Sequence, residues 1–184
     1  QKKAPHRFLV QGGLHGDEIY TSKFVDWLRT RYARKKSILN QLPRDSVSID
    51  FYPGANPDGL AKKERYNAKG VNLNRNFSVL WGISKETPGT EGISEPETRA
   101  IKELFKTQKY TAAVDIHGYI NWIVAPTIPK RLQASNLLTS DKKKKYIKWM
   151  SALKREMSTL PNYNLKTAGG LGDGGAFEDW AFWG

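Results

Sequence analysis

The sequence predicts an α/β protein in which a largely buried sheet is sandwiched by helices. Three observations predict it. Short apolar runs that end in glycine or histidine alternate with segments of helical periodicity. Turn-forming tetrapeptides separate them. The 184 residues are 39% hydrophobic and 11% aromatic, enough for the core of one domain spanning residues 1–184, without internal repeat or linker.

The elements follow in order. Phe8-Leu9-Val10 is a strand running into a Gly12-Gly13 loop. A helix comes next, with Phe24, Val25, Leu28 and Tyr32 expected inward and Arg29, Arg31 and Arg34 outward. Val47 to Phe51 alternates as a strand, and Asn56-Pro57-Asp58-Gly59 is turn chemistry. Ser94 and Glu97 form a capping-box pattern ahead of a helix carrying Ile101, Leu104 and Phe105. Ala112 to Ile116 reads as a buried strand ending at His117, with Trp122 to Val124 as its expected neighbour. Lys142 to Lys145 open an amphipathic helix whose inward positions are Tyr146, Trp149, Met150, Leu153 and Met157. Ala181 to Gly184 is aromatic and reads like the middle of a packed element, so native sequence is expected beyond it.

Composition excludes several classes of function. Without cysteine there is no disulfide scaffold, thiolate zinc finger, iron–sulfur centre or cysteine nucleophile. No run approaches the roughly 18 apolar residues of a membrane span. Thirty Lys and Arg against 18 Asp and Glu give a net charge of +12, which favours polyanionic partners such as nucleic acid, membrane surfaces or anionic cell-wall polymer. The lysine run itself reads as a solvated helix end. Gln1 is not a translation start, so the chain reads as a processed or excised piece. The lack of a signal peptide therefore fixes no compartment.

Two of the three histidines fall where strands end. His15 and Glu18, three residues apart on a tight turn, can face one point, as two ligands of one metal must. His117 can come alongside them from its own strand end. Two histidines, one carboxylate and an open fourth position make a catalytic zinc site, although HxxE alone is more often a surface turn. Arg65 and Arg75 offer planar forks suited to a carboxylate, and Asn74 a further donor. His6, between Pro5 and Arg7, reads as solvated.

An ordered set of motifs ties these pieces together. It begins with Gly13-Leu14-His15-Gly16-Asp17-Glu18 and Asn56-Pro57-Asp58-Gly59. The segment from Arg65 through Asn72-Leu73-Asn74-Arg75-Asn76-Phe77 follows, then Ser94-Glu95-Pro96-Glu97-Thr98. Asp115-Ile116-His117-Gly118-Tyr119, Gly174-Gly175 and Asp179-Trp180 complete it. In this order and spacing the chain resembles the zinc metallocarboxypeptidases of the pancreatic type, and most closely the bacterial members that trim murein peptides. The resemblance implies a twisted mixed sheet of about eight strands with helices on both faces. One zinc would lie at the carboxyl ends of the central strands, held by His15, Glu18 and His117. It also implies that Asn74 and Arg75 hold the substrate's terminal carboxylate and that Arg65 stabilises the oxyanion. The family's chemistry activates water with zinc and a glutamate general base.

Three departures from the family pattern stand out. The family's glutamate lies some dozen residues after the Asp-Trp pair, so it is expected beyond Gly184. Making Glu178 the base instead would forfeit the match to Asp179-Trp180. Asn72 stands where the family usually has an aspartate behind the first zinc histidine, which should weaken metal binding. No tyrosine occurs near Gly170, where the mobile tyrosine of the pancreatic enzymes would fall, and Tyr163 is the nearest.

The implied activity is cleavage of a peptide bond beside a C-terminal or carboxylate-bearing residue, by a carboxypeptidase or murein peptide amidase. The expected partner is a peptide with a free carboxylate, above all a peptidoglycan stem peptide, which the basic surface would attract. A bacterial periplasm, cell envelope or secreted location goes with it, and no aromatic-basic nucleic-acid module is visible. Asp173, Ala176 and Phe177 lie where the family reads the terminal side chain. A general protein carboxypeptidase, a catalytically silent carboxylate-binding relative and a basic polyanion-binding protein are the alternatives, and the oligomeric state stays open.

Overall fold

A computed structural model of the chain describes residues 4–118, 122–126, 139–159, 164–167 (backbone only) and 174–184. Tyr119, Tyr163, Gly170 and Asp173 lie outside the described residues.

Strand β1 (His6–Gly12) is the middle strand of a three-stranded parallel sheet. It pairs with β2 (Val47–Tyr52) on one side and β3 (Ala112–Ile116) on the other, with Leu9 level with Asp50 and Ala113. Strands β4 (Trp122–Ala125) and β5 (Asn164–Thr167) form a separate parallel pair. The described residues thus hold five strands with every pairing parallel, against the mixed sheet of about eight strands that the sequence led us to expect. Trp122 to Val124 pairs with β5 and not with β3.

Because side chains alternate along a strand, β1 serves two layers. Helix α1 (Ile19–Ala33) covers one face, where its Tyr32 ring meets Phe51 of β2. On the other face Leu9, fully buried, joins a core with Ile101 of helix α3 (Pro96–Gln108). Phe177 and Trp180 of the C-terminal helix α5 (Phe177–Trp183) belong to the same core. Phe77, Phe105, Phe177 and Trp180 stack and tilt against one another with ring centroids 5.0–6.3 Å apart. Such pairs add about 0.5–1.5 kcal/mol each beyond buried area. Helix α4 (Ser140–Met157), capped by Thr139, buries Tyr146 and Met157 as expected, and Tyr146 stacks on Trp183, itself fully buried.

Four local expectations change. On α4 Trp149, expected inward, is 38% exposed. On α1 the buried stripe is Thr21 and Val25, and Phe24 is 46% exposed, stacked on Trp27 outside. The capping box does not form. Pro96 takes the first helical position, Glu95 becomes the N-cap, and Ser94 Oγ donates to Glu95 Oε1. Val114 of β3 is 55% exposed, so that strand is not buried on both faces. Among the described residues no helix is long and apolar enough to cross a membrane.

Candidate metal centre and carboxylate clamp

The sheet brings two strand ends together. Gly12 at the end of β1 is level with Ile116 at the end of β3, so the turn after β1 and His117 after β3 share one edge. Thr21 shapes that turn. Its Oγ1 accepts from Gly13 N (2.9 Å) and donates to Glu18 O (2.8 Å). Glu18 is the N-cap residue of α1 but makes no side-chain cap, which leaves its carboxylate to face the strand ends. Gly16 is required by close approach: a Cβ there would lie 2.0 Å from Gly59 C, in helix α2 (Pro57–Lys62).

His15 Nδ1 lies 3.0 Å from Glu18 Oε1, and His117 Nδ1 lies 3.2 Å from Glu18 Oε2 and from His15 Nδ1. One ligand atom from each residue falls within 4.8 Å of the others. The outer ring nitrogens face acceptors, His15 Nε2 on Asn72 Oδ1 at 3.1 Å and His117 Nε2 on Asp115 Oδ2 at 2.8 Å. With Nε2–H donated outward, each ring would turn an Nδ1 lone pair inward once deprotonated, so a metal would take the place of the proton that His117 otherwise holds. Two imidazoles and a carboxylate converging in this way fit a zinc ion with an open coordination position. The cluster opens on one side, since the His15 and Glu18 side chains are buried and that of His117 is 30% exposed.

Electrostatics agree with a cation at this point. Burial would raise the pKa of Glu18, but hydrogen bonds with His117 and His15, the His117 charge and the Gly118 N–H at 2.7 Å hold it far below the usual carboxylate range. Burial would lower that of His117, yet Asp115, by charge and hydrogen bond, together with Glu18 pushes it up to about 10.

An arginine arm runs outward from this cluster. Arg65 Nη1 is 3.2 Å from His15 Nδ1 and 3.6 Å from Glu18 Oε1. Its Nε is 3.2 Å from Glu86 Oε1, and Glu86 Oε2 lies 3.3 Å from Arg75 Nη2. Arg75 and Asn74 sit on a 3-10 turn, Leu73–Arg75, started by Asn72, whose Oδ1 also accepts from Asn74 N. Asn74 Oδ1 accepts from Phe177 N (2.9 Å), so the NH2 end of its side chain is the donor a ligand would meet. Gly175 closes the turn from behind. It has φ +74°, its oxygen accepts from Phe77 N, and a Cβ on it would lie 2.1 Å from Arg75 O.

The structure therefore brings together His15, Glu18, His117 and Arg65, with Arg75 linked to Arg65 through Glu86 and Asn74 beside it. Asn72 lies behind His15, the position the motif gave it. Glu178 is on the first turn of α5, and its carboxyl is pushed up by burial while feeling the charges of His117, Asp115 and Arg75. Two residues were missed. Asp115 had a signal, because residues i and i+2 of a strand share a face, so Asp-Ile-His places the carboxylate beside the imidazole. Glu86 had none in the local pattern. It comes from a loop 21 residues after Arg65.

Comparisons with known proteins identify the family and the fold. The sequence model of the M14 peptidase family, described as zinc carboxypeptidase, matches residues 1–182. Carboxypeptidase SOL1 of Arabidopsis thaliana is 30% identical over 120 residues, which are 63% of this chain and 23% of that protein. Among solved structures, thrombin activatable fibrinolysis inhibitor superposes with a TM-score of 0.70 at 20% identity, covering 99% of this chain and 52% of that one. Murein-tripeptide amidase MpaA from Escherichia coli O157 superposes with a TM-score of 0.58 at 24% identity, covering 96% of this chain and 68% of that one. The chain spans 23–40% of the length of the curated relatives it matches.

Proposed function

Because the chain belongs to the zinc carboxypeptidase family, we propose that it carries the zinc and carboxylate-binding part of a peptidase that hydrolyses the bond next to a C-terminal or carboxylate-bearing residue. The observation that carries this reading is the unbroken line of contacts from the His15, Glu18 and His117 cluster through Arg65 toward Arg75. Such a line can engage a scissile carbonyl at one end and a carboxylate at the other.

His15, Glu18 and His117 would hold zinc, which would supply Lewis acidity and lower the pKa of water toward neutrality. Arg65, whose guanidinium already reaches the ligand atoms, donates to the carbonyl oxygen as negative charge develops on it. Arg75 and Asn74 receive the carboxylate and so fix which bond lies beneath Arg65. Asp115 and Asn72 orient the two rings. The general base is assigned to a glutamate beyond Gly184, where the family's spacing from Asp179-Trp180 puts it.

Peptidoglycan stem peptides are the proposed substrate, in a bacterial periplasm or envelope. The net charge of +12 and the fold shared with the murein-tripeptide amidase support this. The test is zinc content and release of amino acids or peptides from muropeptides by the full-length protein, with and without chelator. About one zinc per chain and chelator-sensitive cleavage are expected. Zinc without cleavage would mark a carboxylate-binding relative, and cleavage of ordinary peptides in place of muropeptides a general carboxypeptidase.

A further inference from the structure

We propose that Glu86 is an internal occupant of the carboxylate clamp, which an incoming substrate carboxylate must displace from Arg75, freeing Arg65 at the same time for the scissile carbonyl. The proposal rests on the reading of those arginines given above and adds to it a residue that tunes their affinity.

The geometry is that of a ligand. The two oxygens of one carboxylate are divided between two guanidinium groups, Oε1 with Arg65 Nε at 3.2 Å and Oε2 with Arg75 Nη2 at 3.3 Å. A terminal peptide carboxylate received by Arg75 and Asn74 would compete with Oε2 for the same guanidinium. Electrostatics gives a reason for an occupant. Two guanidinium groups facing one space repel, and the side chain of Arg75 is 9% exposed, so a counter-charge stabilises the pair. The same two arginines, by charge and by the Arg65 hydrogen bond, together with the Asn72 amide, outweigh burial and keep the Glu86 carboxyl below the ordinary carboxylate range.

Glu86 is also placed so that it can leave. Its side chain is 36% exposed, unlike the buried Glu95 and Glu18 carboxylates. It comes from the stretch between the 3-10 turn and α3, which contains no helix or strand. The backbone beside it is pinned, with Asn72 N donating to Thr87 O at 2.9 Å and Glu86 N to Ser84 Oγ at 3.2 Å. Displacement thus needs rotation of one side chain toward solvent, without rearrangement of the loop.

A merely structural role for Glu86, holding the arginines in position, predicts the opposite sign of effect when it is neutralised. If Glu86 competes with substrate, Glu86→Gln should strengthen carboxylate binding. If it only positions, the same change should weaken it. The experiment is calorimetric titration of the full-length, zinc-loaded protein with N-acetylglycine, an achiral free carboxylate, and with its primary amide. Glu86→Gln is expected to bind N-acetylglycine about three- to tenfold more tightly. Affinity for the amide should stay unchanged, and Glu91→Gln on the same loop should follow the parent. Equal or weaker binding of N-acetylglycine by Glu86→Gln overturns the proposal. A crystal structure of the parent protein with N-acetylglycine tests it without any substitution. The ligand carboxylate should lie on Arg75 and Asn74 with Glu86 turned out, and a Glu86 still bridging both arginines overturns it. Tightened binding in a protein that cleaves no peptide would sustain the occupant and sink the hydrolase. Cleavage without tightening would do the reverse.

Discussion

The side-chain oxygen of Asn72 lies 3.1 Å from His15 Nε2, whereas the equivalent nitrogen of His117 meets the carboxylate of Asp115 at 2.8 Å. The two candidate zinc ligands are thus oriented by acceptors of different charge. A carboxylate behind an imidazole raises its basicity and its strength as a ligand, and an amide does so less. Replacing Asn72 by Asp should therefore tighten zinc binding by about tenfold. Asp115→Asn should weaken it by about tenfold to a hundredfold. Competition with a chelator of known affinity measures both. Unchanged affinity in both variants would remove Asn72 and Asp115 from the metal site.

Glu178 offers a second discrimination. Burial raises its pKa, and it feels the charges of His117, Asp115 and Arg75, so it belongs to the electrostatic surroundings of the cluster. If the general base is a glutamate other than Glu178, as proposed above, Glu178→Gln in the full-length protein should keep kcat within about tenfold of the parent. Loss of general-base assistance would instead lower kcat by about a hundredfold to ten-thousandfold. A kcat that low, with zinc content intact, would transfer the role to Glu178.

The convergence of His15, Glu18 and His117 into a candidate metal cluster was legible because each half of the signal is local. A strand end followed by His-x-x-Glu fixes two ligands on one turn, and a second apolar strand ending in histidine supplies the third once β1 and β3 pair. What escaped the sequence depended on competition between neighbours. Phe24 and Val25 both look apolar, but Val25 shares the buried face of α1 with Thr21 and leaves Phe24 beside Trp27 in solvent. The Ser94 to Glu97 pattern was overridden by Pro96, whose fixed φ starts α3 one residue later. Glu86 reaches the arginines across a loop with no periodicity, where sequence distance gives no hint of contact.

Glu95 supplies a pH-dependent term in stability. It is 3% exposed, and its oxygens accept from Asn67 Nδ2 at 2.9 Å and Ser94 Oγ at 2.9 Å, with Lys69 Nζ at 3.6 Å. Burial would raise its pKa, but these partners depress it below the ordinary 4.5. A depressed carboxylate stabilises the fold fully above its unfolded value and loses that contribution as pH falls through the folded one. Glu95→Gln should destabilise the protein by about 1–3 kcal/mol at pH 7, since a buried charged acceptor is lost. The gap should narrow as pH falls below about 4. Urea midpoints at pH 7 and pH 3 measure it, and a gap independent of pH would sever the link to Glu95 ionisation.

Gly175 joins the core to the clamp, and its replacement should show both functions failing together. Its N–H donates to Val79 O at 3.0 Å and its oxygen accepts from Phe77 N at 2.9 Å, which fixes the start of α5 against the segment that follows Arg75. Its φ of +74° is unfavourable for a residue with a Cβ, by about 1 kcal/mol. The larger obstacle is steric, because that Cβ would meet Arg75 O at 2.1 Å, a backbone atom that no rotamer change can move. Gly175→Ala must therefore shift either the Arg75 backbone or α5, whose Phe177 and Trp180 fill the core. The expected loss is about 2–4 kcal/mol of stability, in the range of overpacked sites with backbone strain. At temperatures where the variant remains folded, binding of N-acetylglycine should weaken at least threefold while zinc content is retained, since the metal cluster lies on other strand ends. A variant that loses zinc but keeps carboxylate binding would show that Gly175 supports the opposite end of the site.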